Sequence, residues 1–299
     1  MKHITSIWLA AIILVNILGC AKEEKHGPIS STGEAPAPVS NVRVENLPGA
    51  AKILYTLPQE PDLLYVEAEY EIRKGVQRKI KATFYNNSLT VDGFGTTEPY
   101  NVNLYAVNRN NKRSAPVAVT VNPAKPPVMS VFESIRVQAD FGGINIQFSD
   151  NPKADLAIVT LAIDSASGKW KDADTKYTSA ETGDYSVRGF ASVKTTFGVF
   201  IRDRYNNYSD TLFTTLVPIF EQQLDKSKFT EVFLPGDFVA TFFVSRIAYI
   251  WDDDHDSNVY STTSHSTTDQ TDLSGPHYFT FDMGVTAKLS RFKLWQVPE

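Results

Sequence analysis

Leu64-Tyr65-Val66-Glu67-Ala68-Glu69-Tyr70-Glu71-Ile72 decides the fold. Leu64, Val66, Ala68, Tyr70 and Ile72 alternate with Tyr65, Glu67, Glu69 and Glu71. That period of two belongs to a strand with one core face and one solvated, acidic face. The alternation returns at Tyr100, Val102, Leu104 and Ala106, turns at Asn108-Arg109-Asn110-Asn111 and leads into 116–121. Upstream, 42–44 and 52–57 read as strands, the first closed by the turn Leu47-Pro48-Gly49. Short β-branched and aromatic runs separated by Gly, Pro, Asn and Asp continue down the chain without any long helical period. The chain therefore reads as all-β, built from sandwiches.

A first sandwich is expected over 39–122 and a second, on the same plan, over 123–218. Pro126-Pro127-Val128 restarts the chain, and Asp155-Leu156 stands 93 residues beyond Asp62-Leu63. Phe197, Val199 and Ile201 align with Tyr100, Val102 and Leu104. Asn206-Asn207-Tyr208-Ser209 aligns with 110–114, one residue shorter. Two matched units of this size indicate duplication. Tyr100 stands where sandwich domains place the tyrosine of the tyrosine corner, and Phe197 lacks the hydroxyl to repeat it. Arg202, Asp203 and Arg204 read as an ion-paired surface that adds little stability.

The N-terminus has a different logic. Lys2 and His3 precede a run, 4–18, that is apolar apart from Thr5, Ser6 and Asn16. It is short for a membrane span, which takes about 20 apolar residues. It has the layout of a secretory leader over 1–19. Cys20 is the only cysteine. An ordinary leader with an incidental cysteine and a lipoprotein leader both fit this pattern. Ile17-Leu18-Gly19-Cys20 resembles a bacterial lipobox, which implies acylation of Cys20 and a stable anchor. Residues 20–38 then form the lipid anchor and a Gly/Pro/Ser/Thr/Ala linker. Ala21-Lys22-Glu23-Glu24-Lys25 resembles the export signal of Bacteroidota surface lipoproteins. That resemblance implies an outer-membrane location facing the cell exterior.

Net charge is -5 and the pI about 5.6, which argues against nucleic acid as a partner. With Cys20 acylated no disulfide is available, so apolar cores must hold the domains; 42% hydrophobic residues suffice.

The last segment, 219–299, carries Ile250-Trp251-Asp252-Asp253-Asp254-His255-Asp256-Ser257-Asn258, a Thr/Ser-rich stretch, Phe279-Thr280-Phe281-Asp282-Met283-Gly284, and an expected strand over 288–295. Asp252, Asp254, Asp256 and Asn258 put oxygen ligands at every second position, as a calcium loop does. Ser257 and Thr263 stand where an EF-hand needs Gly and Glu. A structural calcium site and a solvated acidic turn both remain open. His255, His265 and His277 lack zinc spacing. No nucleophile motif, phosphate loop or zincin motif occurs, so the expectation is a protein without enzyme activity. Trp251, Tyr260 and His277 are the candidate ligand-binding residues, by stacking and hydrogen bonding to sugars, and Trp295 is assigned to the core.

Several stretches carry a family resemblance. Tyr100-x-Val102-x-Leu104-x-Ala106 with Ser114-Ala115-Pro116 resembles fibronectin type III modules. The Trp-Asp segment and Phe279–Gly284 stretch resemble the galactose-binding-like jelly roll of discoidin and coagulation-factor type C domains, here incomplete, so that the chain reads as truncated. Leu47-Pro48-Gly49-Ala50-Ala51, Pro61-Asp62-Leu63-Leu64-Tyr65-Val66, Asp140-Phe141-Gly142-Gly143, Arg188-Gly189-Phe190, Asp225-Lys226-Ser227-Lys228-Phe229 and Leu289-Ser290-Arg291-Phe292 resemble a family of Bacteroidota surface lipoproteins. Members carry two fibronectin-III-like domains of unknown function and a galactose-binding-like C-terminal domain. The resemblance implies glycan binding for a polysaccharide-uptake system. The alternative is a structural lipoprotein whose sandwiches dock an outer-membrane transporter or a glycoside hydrolase.

Overall fold

The computed structural model describes residues 33–164, 167–237, 247–253 and 278–293. The leader, Cys20, Asp254, His255, Asp256, Asn258, Tyr260, His265, His277 and Trp295 lie outside the described residues.

Two antiparallel sheets make the first sandwich. One orders β1 (Ser40–Leu47), β2 (Ala50–Thr56) and β5 (Ser88–Asp92); the other orders β4 (Val76–Thr83), β3 (Leu63–Arg73), β6 (Tyr100–Asn108) and β7 (Val117–Val121). Alternation along each strand sends Ile53, Val66, Val91 and Leu104 inward, where all four are fully buried. The hold of this domain reaches into the expected linker: Pro36 is buried, Asn108 Nδ2 donates to Glu34 O at 2.8 Å, and Ala37 N donates to Glu60 Oε1 at 2.6 Å.

The second sandwich repeats the order with β8 (Arg136–Asp140), β9 (Gly143–Phe148) and β12 (Gly183–Arg188) facing β11 (Trp170–Thr178), β10 (Leu156–Ile163), β13 (Thr195–Asp203) and β14 (Leu212–Leu216). Its core includes Ile144, Ile158, Phe197 and Ile201. It also contains a helix, α1 (Pro127–Ser134), at the point where Pro126-Pro127-Val128 restarts the chain. Proline at the first helical position costs nothing, since its missing N–H would have had no partner in the helix. Val128 and Val131, three apart, bury one face of this helix on the core. Ser149 N and the Val131 and Ser149 carbonyls bind Ser134 Oγ at the helix end, and the chain leaves extended at Ile135.

The two sandwiches share one strand plan, but the register between their sixth strands differs from the expected one. Asn108 Oδ1 accepts from the backbone N–H of Asn110 and Lys112; Asp203 Oδ1 accepts from Tyr205 and Asn207. Ser114 Oγ accepts from Ala106 N, and Ser209 Oγ accepts from Ile201 N. Asp203 is therefore the counterpart of Asn108, 95 residues on, and Phe197 matches Val102 rather than Tyr100. The aromatic match misled; the capping carboxylate or amide sets the true alignment. Tyr100 Oη bonds the Thr96 hydroxyl at 2.7 Å, a side chain rather than the backbone that a tyrosine corner uses.

A joint locks the sandwiches together. Ala124 N donates to Leu47 O and Gly49 N to Ala124 O, each at 3.0 Å. On the other side of the junction Asn207 Nδ2 donates to Gly93 O at 3.1 Å and Arg73 Nη1 to Tyr205 O at 2.7 Å. The Tyr205 ring lies between the guanidinium groups of Arg78 and Arg204, 4.8 and 4.9 Å from its centroid. Gly95 is required here: a Cβ would stand 2.5 Å from Asn207 Oδ1.

Beyond β14 the chain forms a two-stranded pair, β15 (Thr230–Val232) with β16 (Thr280–Asp282), and short 3-10 turns at Lys226–Lys228 and Ile247–Ile250. Asp225 caps the first of these turns by accepting from Ser227 N. The strand expected over 288–295 is not present in its described part, 288–293. That part instead touches the second sandwich: Ser290 Oγ and Arg291 bind Glu221, which also takes Arg188.

Candidate functional site

Two of the expected site residues are described, and they do not form a prepared pocket. Trp251 is half-buried and packs on Phe229 and Phe281, with ring centroids 5.7 and 5.0 Å away. Its indole is engaged in this small aromatic cluster, which accounts for a tryptophan at this position by packing. Asp252 is exposed beside it, and Asp253, in the left-handed region at φ +65°, pairs with Lys226. Among the described residues no group of three His, Cys, Asp or Glu could hold a metal. The remaining members of the expected sets, Asp254, Asp256, Asn258, Tyr260 and His277, lie outside the described residues.

The structure draws attention to surfaces that sequence reading passed over. They emerge when the outer faces of the two four-stranded sheets are compared. On the first sandwich that face is a charge ladder. Lys79 meets Glu69 at 2.5 Å, Lys81 meets Glu67 at 3.5 Å, and Arg113 pairs with both carboxylates while lying 4.5 Å over the Tyr105 ring. Glu67 was expected to be solvated, yet its side chain is only 5% exposed, because Lys81 and Arg113 close over it. The face neutralises itself.

On the second sandwich the register places Val159, Leu161 and Ile163 where Glu67, Glu69 and Glu71 stand on the first. Aromatic side chains flank this aliphatic row. Trp170 and Phe213 meet at 5.3 Å, with Phe213 lying against Gly198, where a Cβ would be 3.1 Å from its ring. Phe200 and Tyr208 follow at 6.1 Å. Tyr177 and Arg202 stand at the far end. Ile163, Trp170, Phe213, Tyr208 and Tyr177 are all exposed. A signal existed in the sequence: Leu156-Ala-Ile-Val-Thr-Leu-Ala-Ile163 is almost continuously apolar, the mark of a strand apolar on both faces.

At the Tyr177 end a cleft of about 480 Å³ opens, lined by Asp155, Ala157, Tyr177, Ser179, Arg202 and Arg204 among others. Arg202 Nη2 donates to Tyr177 Oη at 3.3 Å, and its guanidinium lies 6.0 Å from the ring centroid. Arg204 pairs with Asp155 at 3.7 Å and with Asp92 at 3.5 Å, and donates to Tyr205 Oη at 2.6 Å. The neighbouring Asp203 is occupied with capping its own loop. Burial pushes the Tyr205 hydroxyl up to about 12, so it stays protonated and able to donate.

Residues 36–123 match a family described as a domain of unknown function, DUF4959; residues 124–227 match another, DUF5126; and residues 251–299 match a third, DUF5000. No curated protein sequence matches the chain. Among solved structures, a SusE-like protein is 29% identical over 55% of this chain and 57% of its own, with a TM-score of 0.34. The chain thus spans a little over half of that structure's length. A two-domain fibronectin type III segment of chicken tenascin is 12% identical, covering 60% of this chain and 99% of its own, with a TM-score of 0.29. A fibronectin type III domain of human collagen α-1(XX) is 21% identical over 33% of this chain and 94% of its own, with a TM-score of 0.28.

Proposed function

We propose that the chain is a non-catalytic, lipid-anchored protein of the bacterial outer surface that binds glycans for a polysaccharide-uptake system. The two sandwiches serve as its arm, and the segment from 219 onward presents a sugar reader. The observation that carries this reading is the locked joint at Asp92 and Tyr205, which supports one stiff unit and not two independent beads. The sequence resemblance supplies the glycan, and the joint supplies the means of holding a reader away from the membrane.

The test is calorimetry of the full chain in detergent against a glycan panel. Asp252→Asn and Trp251→Ala are compared with the unmodified chain, each with and without chelator. Asp252 is exposed, and an unchanged melting temperature of its variant checks the fold independently of Trp251→Ala, which disturbs the aromatic cluster. Glycan binding weakened by Asp252→Asn supports the reader; absence of binding to every sugar overturns the reading.

A second reading, a sandwich that docks a transporter or a secreted hydrolase, is favoured by exposed Ile163, Trp170 and Phe213. Aromatic residues in an apolar patch are typical anchors of protein interfaces. Photo-crosslinking from position 170 on intact cells separates the two: a single discrete protein adduct supports docking.

A further inference from the structure

The cleft beside Tyr177 combines three groups that recognise a sugar by different means. Tyr177 is 70% exposed, so its ring is offered to solvent. It is also oriented, because Arg202 holds its hydroxyl. An oriented aromatic ring presents an apolar face at low entropic cost. Arg202 has five N–H donors and gives one of them to Tyr177, which leaves donors for a ligand. Asp155, just before β10 in the lining of the same cleft, supplies acceptors, and its side chain is 72% exposed. Arg204 keeps Asp155 near the cleft and is itself fastened to Tyr205 and Asp92 in the joint. The wall is thus fixed by contacts outside the cleft, and a fixed wall lowers the cost of binding.

The repeat framework does not explain this set. The residues paired with Ala157 are Tyr177 and Arg202, and those paired with its counterpart Tyr65 are Thr83 and Val107. The first sandwich carries its ring on the central strand, Tyr65 beneath Lys81 at 4.3 Å, and has neither ring nor charge at the two flanking positions. The charges also select. Arg202 and Arg204 share the lining with Asp155 and Asp203, so the charges balance, and a carboxylated ligand would meet Asp155 as well as arginine.

We infer that this cleft binds a neutral pyranose unit of a glycan chain, its C–H face on Tyr177 and its hydroxyls shared between Arg202 and Asp155. The inference rests on the glycan-binding reading above and adds a subsite on the second sandwich. Such a ligand lies along the outer face, where Phe200 with Tyr208 and then Trp170 with Phe213 follow over six residues of β10, about 20 Å at roughly 3.3 Å per residue.

The test is calorimetric titration of the full chain in detergent with neutral gluco-, manno- and galacto-configured oligosaccharides and with a uronate oligosaccharide. Tyr177→Ala should weaken binding of a neutral oligosaccharide about tenfold, the scale of one lost aromatic contact. Tyr177→Phe should retain most of it, and Arg202→Gln and Asp155→Asn should each weaken it. These positions are at the surface, so folding is checked by an unchanged melting temperature. Binding that falls with Asp252→Asn while remaining unchanged in Tyr177→Ala, Arg202→Gln and Asp155→Asn overturns this subsite and leaves the glycan reading standing. Binding of the uronate alone overturns the neutral class. Absence of binding to every sugar overturns the glycan reading and the subsite together.

Discussion

The Tyr205 hydroxyl donates to Asp92 Oδ2 at 2.6 Å across the junction of the two sandwiches. Asp92 gathers the joint, since Arg78 reaches its other oxygen at 3.3 Å and Arg204 approaches at 3.5 Å. Removing the carboxylate leaves two arginines and a tyrosine without their common acceptor. Asp92→Ala is therefore expected to uncouple the domains, turning one calorimetric transition into two. A single transition at an unchanged temperature would show that the contact carries no coupling.

Alkaline pH should attack the same place. Burial, with the Asp92 hydrogen bond second, pushes Tyr205 up to about 12, and burial alone does the same to Tyr55. Both folded values lie above the unfolded one near 10, so their stabilisation is complete below about pH 10 and is lost as pH rises through 12. Tyrosinate absorbance should show late-titrating residues, one of which disappears in Tyr205→Phe. Complete titration of all 13 tyrosines by pH 10.5 or so would contradict the burial.

Glu221 fastens the C-terminal stretch to the second sandwich. Its carboxylate takes Arg188 at 2.9 Å, Ser290 Oγ at 2.7 Å and Arg291 at 3.2 Å. Glu221→Ala should cost about 1–3 kcal/mol, the range for charged hydrogen bonds lost with their partners left behind. It should also expose Lys288, Arg291 and Lys293 to trypsin. Unchanged cleavage at those three sites would mean that the stretch is held by other contacts.

Leu104 and Ile201 are fully buried in separate cores. Truncating either to alanine should cost about 2–5 kcal/mol, a transfer loss plus the cavity left behind. Because the cores are separate, the double variant should show the two losses added within about 0.5 kcal/mol. Denaturant midpoints measure this, and a loss under 1 kcal/mol or so at either site would reject the packing.

Cys20→Ser tests the anchor independently of any structure. The protein should leave the membrane fraction or keep its leader. An unchanged fractionation and an unchanged N-terminal mass would reject lipidation.

Much of the fold was legible because strands write their burial with a period of two. Leu64–Ile72 and Tyr100–Ala106 each place their apolar set inward, apart from Leu64 and Tyr100, which are half-buried. What escaped has specific causes. Pro126-Pro127 marked only a restart of the chain, although Val128 and Val131 carry a helical spacing just after it. The two-residue error in β13 came from matching rings, when the hydrogen-bonding duty of Asn108 and Asp203 was the conserved geometry between the repeats. The joint could not be read at all: Asp92 and Tyr205 are 113 residues apart, and each looks like an ordinary turn residue. The cleft escaped for the same reason, since Asp155, Tyr177 and Arg202 come from three strand ends. Glu67 was placed correctly on the outer face, but only the fold shows Arg113 arriving to cover it.

The two halves of the junction have a mechanical consequence. A single point of attachment is a pivot; two attachments set apart remove the remaining rotation. The backbone pair between Leu47, Gly49 and Ala124 is one, and the side-chain knot around Tyr205 is the other. Torque on the second sandwich is therefore passed to the first without a bend between them. The Tyr177 cleft therefore turns with the first sandwich, to which the backbone at Glu34 is itself fastened through Asn108.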